Sequence, residues 1–202
     1  MLKPRVYSYV IDHDVGFAPN PFHGACTLAA CKPQIRRTAE IGDYILGTGS
    51  VPSGRDGHLI YWMRVGEVSD FNAYWEDSRF VRKKPQMNGS LMQQHGDNIY
   101  RRDVATGRWL QVNSFHSRAD GGQCPANTAR DTGSTDRVLI ADEFAYWGGA
   151  GPRVPNELSD FVHKTQGHRC RYAEDRVRAV LSWIHHLPKP TLMARPIHWP
   201  TA

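Results

Sequence analysis

The sequence predicts a strand-rich α+β fold, a small β-barrel or curved mixed sheet with peripheral helices, on three observations. The stretch 40–68 (EIGDYILGTGSVPSGRDGHLIYWMRVGEV) opens on a turn signal at Ile41-Gly42-Asp43, enters a strand at 44–48, and crosses a polar glycine-rich loop at 49–57. In the strand expected at 58–68, Leu59, Tyr61, Met63 and Val65 share one face, with Ile60, Trp62 and Arg64 on the other. Both faces carry apolar bulk, which suits the centre of a sheet or barrel with the loop at its mouth. Finally, Val177, Val180, Leu181 and Ile184 fall at helical spacing, so 173–187 reads as a helix packed outside, stopped by Pro188 and Pro190.

The remaining elements follow in order. Residues 5–11 (RVYSYVI) read as the first strand, and 12–24, with two prolines and two glycines, as a long loop. Residues 25–32 (ACTLAACK) form a short apolar element that is strand or helix. A basic segment at 33–40 leads into the central turn. Aromatics at helical spacing make 71–80 a short helix, and 82–97 is polar and irregular. Residues 99–101 and 109–112 pair as a hairpin across Ala105-Thr106-Gly107. A loop at 113–136 follows, holding His116, Ser117, Asp120, Arg130 and Asp131; loops that long are usually functional. Residues 137–142 form a buried strand and 144–149 a short aromatic one, and the proline-rich tail is an extended strap.

At 202 residues the chain suits a single domain over 1–202, and 40% hydrophobic content with six Trp is ordinary for a globular protein. No run reaches the roughly 20 apolar residues of a membrane helix, and the N-terminus has no signal-peptide pattern. The dispersed cysteines Cys26, Cys31, Cys124 and Cys170 therefore read as reduced thiols of a cytoplasmic protein. The net charge of +5 favours an anionic partner. Lys32, Arg36 and Arg37, with Thr48, Ser50 and Arg55 around the glycine-rich loop, are the candidate phosphate contacts.

Signatures of known chemistry are sparse. Gly47-Thr48-Gly49-Ser50 lacks the glycine-lysine ending of a phosphate loop, and neither G-x-S-x-G nor H-E-x-x-H occurs. His163, His168 and Cys170 have poor metal spacing, so neither metal nor cofactor is expected. Cys26 and Cys31 flank an apolar element and read as inert core thiols. His13, which stands between Asp12 and Asp14, and His116, next to Ser117 in the long loop, are candidate catalytic residues, together with Asp14 and Asp131 among the polar loops. Aromatic residues suggest a second chemistry, since an unstacked base needs a ring to stack on and polar groups for its edge. Trp62, Trp147, Phe17 and Tyr100 supply rings, and Asn20, Asp56, Asp97 and Asn98 supply edge groups.

The run YSYVIDHDVGFAPNPFHGACTLAACKPQIRRTAEIGDYILGTGS, with GRDGHLIYWMRV, GDNIY and ARDTGSTDRVLIADEFAYWGGAGP, resembles the nucleotide modification associated domain 2 family. The resemblance spans most of the chain and implies association with systems that make or handle modified bases, including bacterial or phage defence. GDYILGTGS, a loop, then IYWMRVGEV is similar to the layout of PUA-like modules of the EVE and YTH type, which hold a modified base in an aromatic pocket. Two functions are thereby implied. One is a module binding a nucleic acid or nucleotide with a modified base; the other is an enzyme of nucleotide modification using the polar loop residues. The want of a recognisable triad favours the first.

Overall fold

A computed structural model describes residues 3–188 and 194–200. Its elements in order are β1 (Val6–Ile11), β2 (Cys26–Leu28), α1 (Pro33–Thr38), β3 (Tyr44–Gly49), β4 (Leu59–Arg64), β5 (Glu67–Asp70) and α2 (Phe71–Glu76). There follow α3 (Leu91–Gln94), β6 (Tyr100–Arg102), β7 (Trp109–Gln111), α4 (Pro125–Thr132), β8 (Arg137–Ala141), β9 (Glu143–Tyr146) and α5 (Glu174–His186). The chain divides into two compact units. The first comprises Met1–Val15, Ala39–Gly66 and Asp142–Ala202, the second Gly16–Thr38 and Glu67–Ala141.

The first unit is built on the sheet β1-β3-β4-β9, with β1 and β3 parallel and the other neighbours antiparallel. Gly42, at φ 95°, makes the turn into β3, and Asp43 holds it by accepting from the backbone of Arg5 and Glu40. As expected, β3 and β4 are neighbours and β4 is interior, buried from Leu59 to Met63. Gly47 is needed there, because a Cβ would stand 2.4 Å from the Tyr61 ring. Trp62 and Trp147 pack with Val6, Leu46, Leu158 and Phe161, and α5 covers them through Val180 and Ile184. That helix lies within one residue of the span its apolar stripe predicts.

The second unit carries the sheet β2-β8-β5 and the hairpin β6-β7. Asp70 starts α2 by accepting from the amides of Asn72 and Ala73. Phe71 and Tyr74 are its buried residues, the Phe71 ring 5.3 Å from that of Tyr100 and the Tyr74 ring 4.7 Å from that of Phe80. Of residues 25–32, Cys26–Leu28 form the short strand β2.

Three expectations need correction. The sheets are open, and no closed barrel forms among the described residues. The strand expected over 58–68 ends at Arg64. Val65 donates to Asp43 O, and Glu67–Asp70 pairs with β8 in the second unit's sheet. The loop expected at 113–136 contains α4, whose Asn, Thr and Asp are weak helix formers and whose ends are marked by Pro125 and Gly133. Of the proline-rich tail, 189–193 and 201–202 lie outside the described residues.

Candidate functional site

Chemistry-bearing side chains converge in the second unit, where β2 gives way to α1. The backbone turns there through Cys31 and Lys32, both at positive φ (57° and 41°), a conformation L-residues seldom adopt. The turn is held at several points. Cys31 N donates to Asp131 Oδ1 at 3.0 Å, and Arg36 Nε donates to Cys31 O at 2.9 Å. Arg36 is fully enclosed, with Nη1 on Arg137 O at 2.8 Å and Nη2 on Asp131 O. One guanidinium thus ties the Cys31 turn to the end of α4 and the start of β8.

Cys31 Sγ lies 3.6 Å from His116 Nε2, and His116 Nδ1 lies 2.8 Å from Asp131 Oδ2. Asp131 is wholly buried, His116 nearly so, and Cys31 partly open to solvent. Tyr100 OH donates to Asp131 Oδ2 at 3.0 Å, and Arg130 Nε to Oδ1 at 3.0 Å. Asn127, four residues before Asp131 on α4, donates to His116 O at 2.7 Å. Helix α4 therefore supplies Asp131 and fixes the histidine backbone together.

Burial alone would raise the Asp131 carboxyl. Hydrogen bonds from His116 and Arg130 overcome that and hold it down at about 2. Burial alone would lower the imidazole, yet its bonds to Asp131 and Cys31 raise it to about 9. The ring is thereby drawn toward its protonated form beside a carboxylate and a sulfur. Burial, with the neighbouring Asp131 carboxylate, raises the Tyr100 phenol, so Tyr100 stays a neutral donor.

Cys31, His116 and Asp131 also place one ligand atom each within 4.8 Å of one another. Their orientation suits a triad better than a metal. His116 uses opposite ring nitrogens toward Sγ and the carboxylate, leaving two donors at the sulfur side where zinc needs three or four. Arg130 Nη2, 4.0 Å from Sγ, adds positive charge there. What the arrangement provides is a partly exposed thiol, an imidazole at its sulfur and a buried carboxylate orienting that ring, the geometry of a nucleophilic cysteine site.

Of the residues singled out in the sequence, His116, Asp131, Tyr100 and Arg36 meet here, with Lys32 next to Cys31 and Phe17 at 4.5 Å from the His116 ring. Tyr100 serves Asp131 through its hydroxyl, and Arg36 is enclosed by carbonyls, so neither has the base-stacking or phosphate-facing position expected of it. The others lie elsewhere. Asn20 is buried in the second unit, accepting from Lys83 Nζ at 2.7 Å, and Asp97 accepts from Thr27 and Tyr74 at 2.6 and 2.7 Å. Asn98 donates to Tyr74 O, and Arg37 is exposed on α1, bonded to Gln34. In the first unit, the buried Asp14 takes the Tyr146 hydroxyl at 2.7 and 2.8 Å; His13 is exposed, its ring 5.5 Å from that of His198. Thr48 is buried against Tyr9 O, and Arg55 is half-buried. Ser50 and Asp56 line a cleft of about 260 Å³ with Asp12 and His163. Trp62 and Trp147 are core residues.

Cys31 is the member missed by sequence reasoning, which set it with Cys26. Only Cys26 behaves as an inert core thiol: it is fully enclosed, and burial pushes it up to about 12. The available signal was the Ala30-Cys31-Lys32-Pro33 junction, where a strand must turn into a helix and expose a side chain.

The model of the nucleotide modification associated domain 2 family matches residues 3–202, nearly the whole chain. No curated protein and no solved structure matches it. Among the described residues no helix is long and apolar enough to cross a membrane.

Proposed function

Since the chain belongs to the nucleotide modification associated domain 2 family, we propose that its second unit is a cysteine-dependent enzyme site acting on a nucleotide or nucleobase. The observation that carries this is the line from Asp131 Oδ2 through His116 to Cys31 Sγ, 2.8 Å and then 3.6 Å.

In this reading the Cys31 sulfur adds to an electrophilic carbon of the substrate: the C–S bond forms as the π bond at that carbon opens, and the S–H proton passes through His116 Nε2 to the atom that receives the electron pair. The reverse proton transfer accompanies the later loss of sulfur. Asp131 keeps Nδ1 protonated and Nε2 facing sulfur, and Tyr100 and Arg130 keep Asp131 ionised and fixed. The alternative of a modified-base reader resting on Trp62 or Trp147 has less support, because both rings are packed in the first unit's core.

Site-resolved alkylation with iodoacetamide tests the reading. Cys31 should react ahead of the half-buried Cys124 and Cys170, and His116→Gln should remove that lead. Equal rates at all three thiols in the unsubstituted protein would contradict it.

A further inference from the structure

Phe115 is 47% exposed, although it directly precedes the buried His116. Its ring has three ring neighbours: Phe17, itself 2% exposed, lies at 5.6 Å between centroids, His95 at 5.4 Å and His116 at 6.1 Å. A phenyl ring fixed by three neighbouring rings yet left nearly half in water is a preformed platform that loses little freedom when something covers it. On the same site Arg130 keeps 46% of its side chain exposed, with its guanidinium 3.2 and 3.3 Å from the two His116 ring nitrogens. An aromatic face and a cation therefore flank the triad together.

We infer that Phe115 is the stacking platform for the substrate's nucleobase, with Arg130 facing the anionic part of the same nucleotide. This rests on the cysteine-nucleophile reading and adds what occupies the site. A flat heteroaromatic ring recovers the exposed Phe115 area by stacking, and a phosphate answers the Arg130 charge. A purely apolar ligand would strip water from the exposed part of Arg130 and offer its outward N–H groups no acceptor beyond the Asp131 carboxylate already bound on the inner side.

The test is protection of Cys31 from iodoacetamide, followed by mass spectrometry, in the whole protein. The probes are AMP, GMP, CMP, UMP and dTMP, with ribose 5-phosphate as the phosphate without a base. At least one nucleotide should protect Cys31 at concentrations where ribose 5-phosphate does not. Phe115→Ala should raise the protecting concentration about 5- to 150-fold, and Phe115→Trp should restore it. Melting temperature should barely move in either variant, because the ring is half exposed. Protection unchanged in Phe115→Ala, equal protection by ribose 5-phosphate, or no protection by any nucleotide would overturn the inference. Unprotected Cys31 labelling that still depends on His116 would leave the triad standing, so the two readings fail separately.

Discussion

His116 Nδ1 sits 2.8 Å from Asp131 Oδ2, a contact between two buried groups, one in the connection before α4 and the other within that helix. It fixes the tautomer and direction of the ring, and with them the approach of Nε2 to Cys31. Electrostatically the pair is one interaction, counted once.

That pair sets a pH window for stability. A carboxylate depressed to about 2 contributes fully above its unfolded value of about 3.9 and loses its contribution as pH falls through 2. An imidazole raised to about 9 contributes fully below about 6.5 and loses its share as pH rises through 9. The full contribution, on the order of 2–3 kcal/mol, therefore lies between about pH 4 and 6.5. Asp131→Asn should cost about that much in urea unfolding at pH 5.5, and the gap from the unsubstituted protein should narrow by pH 10. A gap independent of pH would contradict the pairing.

Arg36 is expected to act as a positioning residue. Lysine keeps the charge but cannot reach the carbonyls of Cys31, Asp131 and Arg137 with one planar fork. Arg36→Lys should cost roughly 1–3 kcal/mol through the carbonyls left unpaired. It should also slow Cys31 alkylation roughly tenfold, since small misplacements of reacting groups are expensive. Alkylation unchanged at reduced stability would confine Arg36 to the fold.

Trp62 separates core from pocket. It packs with Tyr44, Leu46 and Leu59, so Trp62→Ala should destabilise the first unit by about 3–5 kcal/mol. Below the melting temperature, Cys31 alkylation should be unaffected. Loss of nucleotide binding at full stability would return the stacking role to this ring.

Lys83 provides a second pH signature. Its ammonium is wholly buried and donates to Asn20 O, Asn20 Oδ1 and Ala25 O; burial lowers it to about 8, partly offset by Asp97. Because the folded value lies below the unfolded one of about 10.4, burial costs stability at pH below 8, and the cost is relieved as pH rises from 8 toward 10.4. Lys83→Met removes that titration and takes one donor from Asn20 and Ala25; Asn20 O keeps Thr27 N and Asn20 Oδ1 keeps Phe22 N, so the lost bonds cost roughly 1–3 kcal/mol at neutral pH. Equal stability of the variant and the unsubstituted protein at pH 7 would contradict a structural role for the ammonium.

What the sequence disclosed follows from how local each signal was. Strands β1, β3, β4 and β8, the hairpin β6-β7 and α5 were legible because alternation, turn glycines and the helical stripe act within a few residues. His116 and Asp131 stood out as polar residues in a long connection, but their meeting depends on α4, whose weak formers hid it. Cys31 was read from its apolar neighbours. Its exposure comes instead from two successive positive-φ residues and from Arg36 pinning the turn, neither of which is a pattern of spacing. Trp62 illustrates the opposite error: on a strand buried on both faces, a large ring completes the core.

The most direct measurement of the central claim is the rate of Cys31 alkylation at pH 7 in the unsubstituted protein and in His116→Gln. With the ring nitrogen 3.6 Å from Sγ and held there by Asp131, His116→Gln should react roughly tenfold or more slowly. Equal rates in the two proteins would contradict the account.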